Sequence, residues 1–168
     1  VITVTKQGKT KLDAAERYAK TKAAMAARSR EASASGRDIG ELPAVVEPEL
    51  RQQCEASLRQ FLEICFPMAF RLGWCEDHLV LIAELQRVIL SGGFRAIGMP
   101  RGTGKSTIVM RAMIWAICIR KHPFSMIAAA NAGKAEKLLR DIVTEVSHNQ
   151  TLMDLWPEIC YPFRRLEG

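Results

Sequence analysis

The 168-residue chain has no C-x-x-C pair: its five cysteines, Cys54, Cys65, Cys75, Cys118 and Cys160, are scattered and odd in number. That spacing argues against a zinc site and against a disulfide framework, and free thiols in predicted helices fit a reducing interior. A signal peptide is also missing, because the N-terminus is polar and no apolar run follows its lysines. The most hydrophobic run, Ile108 to Ile119, is interrupted by Arg111 and falls short of the roughly 20 residues that a membrane span needs. It reads as a buried helix, and no membrane partner is expected. No internal repeat is evident.

What is present is an uneven charge. Residues 1–40 hold nine Lys/Arg against four Asp/Glu, whereas residues 41–168 hold fifteen against fourteen, so the net +6 belongs almost wholly to an N-terminal arm. Attraction to phosphate or carboxylate would let such an arm touch nucleic acid or an acidic partner; a merely solvated tail is the other reading. Residues 12–30 are rich in Ala, Lys, Arg and Glu, with Asp13/Arg17 and Glu16/Lys20 in the favourable i,i+4 order, and predict an exposed helix. Its large apolar residues are only Leu12, Tyr18 and Met25. Small residues, two glycines and two prolines over 31–48 predict a linker. The expected organisation is therefore a basic helical arm and linker over 1–48 and a nucleotide-binding body over 49–168.

In the body, Cys54, Leu58, Phe61, Leu62 and Cys65 line one face of an amphipathic helix. A second helix is expected from Glu76 to Leu90, with Leu81, Leu85 and Val88 inward, ended by Gly92-Gly93. Phe94–Met99 and Phe124–Ala130 read as short buried strands. Between them lies a helix from about Lys105 to Arg120, apolar nearly all round, and Lys134 to about Val146 is another. Strand, loop, helix, strand, helix predicts an α/β fold with a parallel sheet, a right-handed crossover and flanking helices. Two strands are too few for a stable open sheet. The sheet is thus expected to be incomplete in this chain, which begins at Val1 and ends at Gly168 like a piece of a longer protein.

The segment Met99-Pro100-Arg101-Gly102-Thr103-Gly104-Lys105-Ser106 nearly spells the phosphate-binding loop G-x-x-x-x-G-K-[ST], with methionine at the first glycine. Gly102 and Gly104 let backbone N–H groups converge on phosphate. The Lys105 ammonium would reach the β/γ-phosphates of ATP, the Ser106 hydroxyl would ligate Mg²⁺, and Thr107 can add a phosphate hydrogen bond. The start of the following helix supplies its positive dipole end. The first position precedes the anion cradle, so Met99 is a matter of packing, and Pro100 stiffens the entry.

The ordered set "FLEICFPMAFRLGW", "WCEDH", "GMPRGTGKST", an apolar helix with Trp115, and "HNQTLMDLWPEICYPFRRLEG" resembles the N-terminal ATPase part of phage and prophage terminase large subunits. The resemblance covers roughly residues 50–168. It implies a P-loop NTPase-type fold and an ATPase that drives double-stranded DNA into a viral head. It further implies partnership with a portal and a small terminase subunit, a homo-oligomeric ring when intact, and a cytoplasmic place in a bacterial host. It gives Lys105, Ser106 and Thr107 the phosphates and, through Ser106, Mg²⁺, with Gly102, Thr103 and Gly104 as the other nucleotide-binding positions of the loop. Arg101 would stabilise the γ-phosphate as an arginine finger in cis or remain a solvent-facing charge. Trp74 and His78 would lie on the adenine side or serve as core and cap residues. The acids that in this family complete hydrolysis end a later apolar strand, and neither an apolar run ending in Asp-Glu nor a nuclease domain occurs in these residues. Another P-loop motor such as a helicase, and a nucleotide-binding remnant without turnover, are the alternatives. The hundred residues ahead of the loop weigh against a small-molecule kinase.

Overall fold

The structure is a computed structural model that describes residues 14–35, 40–122 and 124–167. The chain divides into two compact units, residues 1–40 and 41–168. The first contains α1 (Ala14–Ser35), whose side chains are exposed throughout residues 18–31, including Tyr18 and Met25. Such a helix rests on good helix formers and not on a buried stripe. Leu12 and residues 36–39 of the expected linker lie outside the described residues.

The second unit is built from α2 (Pro48–Ala56), α3 (Leu58–Cys65), α4 (Glu76–Ser91), α5 (Lys105–Cys118), α6 (Ala132–His148), α7 (Gln150–Leu155) and α8 (Pro157–Glu167). The apolar helix α5 packs against α3, α4 and α6 and buries Ile108, Ile114, Trp115 and Cys118. Trp115 is fully buried, and its indole N–H donates to the Cys54 carbonyl at 2.8 Å. Across the core, Phe61 meets Phe66 and Trp156 edge to face. Ion pairs close the outside: Arg51 joins Glu55 and Glu158, and Arg111 joins Glu145.

The expected α/β fold is not what forms. Among the described residues there is no strand and no sheet, so the P-loop NTPase-type parallel sheet is overturned in favour of an all-helical body. Phe94–Met99 and Phe124–Ala130 carry neither helix nor ladder. The physical reason lies in what a parallel strand requires, namely ladder partners and cover on both faces. Here Phe94, Phe124 and Met126 are 87%, 80% and 79% exposed, and α5 finds its cover in other helices.

The face running from Cys54 to Cys65 is buried at all five expected positions, but the helix is broken in two. Ser57 takes an extended conformation (φ −138°, ψ 117°), ends α2, and accepts the Gln60 N–H to start α3. The Gln86 side chain of α4 bridges the break: its Oε1 accepts the Leu58 N–H at 2.9 Å, and its Nε2 donates to the Ala56 carbonyl at 3.3 Å. Gln86→Leu leaves the part-buried Leu58 N–H without its acceptor, while the exposed Ala56 carbonyl turns to water, and is expected to destabilise the chain by about 1–2 kcal/mol. The check is a lower midpoint of urea unfolding at unchanged slope; an unmoved midpoint would show that water replaces the amide.

Candidate phosphate-binding site

The loop between Met99 and α5 is shaped by its two glycines. Gly102 and Gly104 have φ of +84° and +76°, a region that side-chain-bearing residues rarely adopt, although a Cβ at either would meet nothing within 4 Å. Backbone conformation therefore calls for glycine here, and crowding does not. Gly104 is the N-cap of α5, and no side chain caps that end. The first helical bond runs from the Ile108 N–H to the Gly104 carbonyl, so the N–H groups of Lys105, Ser106 and Thr107 have no acceptor inside the helix. By contrast, α3, α6 and α7 are capped by Ser57, Asn131 and Asn149.

A cavity of about 240 Å³ opens here, lined by Pro100, Arg101, Gly102, Thr103, Gly104, Lys105, Ser106 and Thr107. The expected loop residues from Pro100 to Thr107 line it and Met99 does not, and among the described residues that line it none is a carboxylate. Two cavities of about 420 and 400 Å³ flank it, the second also touching Lys105 and Ser106. Positive charge comes from Arg101, which is exposed, and Lys105, which is half-buried. The Lys105 Nζ donates to the Met99 carbonyl at 2.9 Å, and the Thr103 hydroxyl donates to the Pro100 carbonyl at 3.0 Å. Residue 99 thus serves the loop with its backbone oxygen, while its half-buried side chain packs against the core. No sequence pattern shows such a role, because the oxygen belongs to any residue.

Trp74 and His78 do not line this cavity. Trp74 is half-buried, 4.7 Å from the Phe70 ring centroid, and its Nε1–H donates to Glu63 at 2.7 Å. The Arg59 guanidinium holds the Glu63 carboxyl below its usual range; burial opposes this and the indole N–H helps. His78 stands edge-on to Trp74 at 6.0 Å. Its Nε2 lies 2.7 Å from the Thr103 carbonyl in the loop, and its Nδ1 lies 3.4 Å from the Cys75 N–H at the start of α4. That contact joins residues 25 apart in the chain, and nothing in the local pattern announces it.

Among the cysteines, Cys118 and Cys160 are buried in the core of the body. Burial pushes the Cys118 thiol well up and Cys160 up to about 12, which makes both poor nucleophiles. Among the described residues no cluster of three or more His, Cys, Asp or Glu could hold a metal ion, and no helix is long and apolar enough to cross a membrane. For Mg²⁺, the side chain at the loop that offers oxygen at the start of α5 is Ser106, with Thr107 next to it. Comparison of the chain with protein-family models, with curated proteins and with solved structures gives no match.

Proposed function

We propose that residues 99–107 bind the phosphate tail of ATP, with Mg²⁺, and that the chain is the ATP-binding part of a DNA-packaging motor of the terminase large-subunit type. The observation that carries the first half is the uncapped start of α5 behind two left-handed glycines, with a lysine folded over the loop. Uncapped N–H groups at a helix start, a dipole end and an ammonium together suit an anion. Arriving phosphate would compete with the Met99 carbonyl for the Lys105 ammonium, exchanging a neutral acceptor for a charged one. Bound Mg²⁺ would neutralise phosphate charge, and Ser106 is the residue to hold it. The cavity is about the size of a phosphate chain, so the base would lie outside it.

The second half rests on the ordered resemblance over residues 50–168. On that reading, hydrolysis drives translocation of double-stranded DNA, in a ring with a portal and a small terminase subunit, inside the host cytoplasm. Nucleotide binding without turnover by these residues alone is the second reading, and it is favoured by the absence of any carboxylate from the cavity lining.

Binding and turnover, measured separately on the chain, test both. Mg·ATP is expected to bind saturably and to slow amide hydrogen exchange over residues 102–107, with turnover at background. No protection of those amides at saturating Mg·ATP would remove the assignment, and turnover above background would remove the second reading.

A further inference from the structure

We propose that His78 is a positioning residue of the phosphate cradle, holding the Thr103 carbonyl out of the anion site. The inference rests on the phosphate-binding reading of the loop. A backbone carbonyl can only accept, so the Nε2 at 2.7 Å from it carries the proton. The Cys75 N–H can only donate, so Nδ1 is the acceptor. One neutral tautomer satisfies both bonds, and both ring nitrogens are committed to the protein. The ring is therefore spent on backbone and has no nitrogen left for a base.

The consequence for the loop follows from peptide geometry. The Thr103 carbonyl and the Gly104 N–H share one planar, trans unit and point in opposite directions. Fixing the oxygen on His78 turns the Gly104 N–H away from the histidine. A flip of this peptide would be easy, because glycine accepts both signs of φ, and it would present an oxygen to the incoming phosphate. The bond to His78 opposes that flip. The histidine is itself braced: Glu63 of α3 holds Trp74, and Trp74 packs edge-on against the imidazole. The loop is thereby referenced to α3 and α4, two helices that precede it.

The test compares His78→Gln with His78→Met in the full chain. Both chains are of similar length and both lose the imidazole Nδ1; only glutamine keeps a donor that reaches the Thr103 carbonyl. His78→Gln is expected to bind Mg·ATP within about twofold of the parent, and His78→Met about five- to tenfold more weakly, at matching melting temperatures. Equal affinity of the two variants would overturn the proposal. Should both fail to fold, His78→Asn keeps the acceptor for Cys75 but is too short for Thr103, and parental affinity in that variant would overturn it. If Lys105→Ala loses Mg·ATP while His78→Met binds normally, the cradle stands and His78 has no part in it. A parent chain that does not bind Mg·ATP removes both.

Discussion

Lys105→Ala is expected to weaken Mg·ATP binding about a hundredfold, the upper end of what one charge-assisted contact contributes. The melting temperature should hardly move. Among the described residues the ammonium bonds the Met99 carbonyl, and residue 99 is half-buried, so water can take the lysine's place there when it is gone. Affinity and stability are thereby separated: a structural lysine would lower both, whereas a phosphate ligand lowers the first alone. Titration of the parent and the variant with Mg·ATP, beside thermal melts of each, makes the comparison. Unchanged affinity in a folded variant would show that the loop is a helix-start turn and nothing more.

The largest effect on stability is expected at Trp115. Truncation to alanine removes a fully buried indole between α5 and its neighbours and leaves the Cys54 carbonyl without its donor. Cavity and orphaned acceptor together should cost about 3–5 kcal/mol. Against a total stability of about 5–15 kcal/mol for a domain, that loss takes the body to the edge of unfolding at 37 °C. Trp115→Phe keeps most of the volume and loses the hydrogen bond, so about 1–2 kcal/mol is expected. Urea unfolding followed by circular dichroism reads both. A loss below about 1 kcal/mol for the alanine variant would place the indole outside the cooperative core.

The helices were legible where a periodic apolar face ran long enough. Glu76 to Leu90 and Lys134 to Val146 each carry several turns of one-sided pattern, and α4 and α6 occupy those segments. The face from Cys54 to Cys65 was equally plain, yet its break at Ser57 was not, since the groups that make it tolerable come from Gln86 on another helix. The short helix α7 spans only Gln150–Leu155, too few residues for a period to declare itself, although Leu152 and Leu155 are buried. Phe94–Met99 and Phe124–Ala130 misled for a related reason. A six- or seven-residue apolar run bounded by turn signals is compatible with a strand but does not supply the partners that a ladder needs. At the loop, the glycines, lysine and hydroxyls could be read directly, because the chemistry sits in residue types at fixed spacing. The Met99 carbonyl and the contact between His78 and Thr103 could not, since one is an atom common to all residues and the other depends on how α4 meets the loop.

Residue 99 answers to two masters. Its oxygen receives Lys105, and its thioether fills space against the hydrophobic interior. Leucine or isoleucine there would keep the oxygen in place and alter only the fit beneath it, with little consequence for the ammonium's resting place. A search string that insists on glycine at that point would discard such chains while testing a feature on which the lysine's anchorage does not depend.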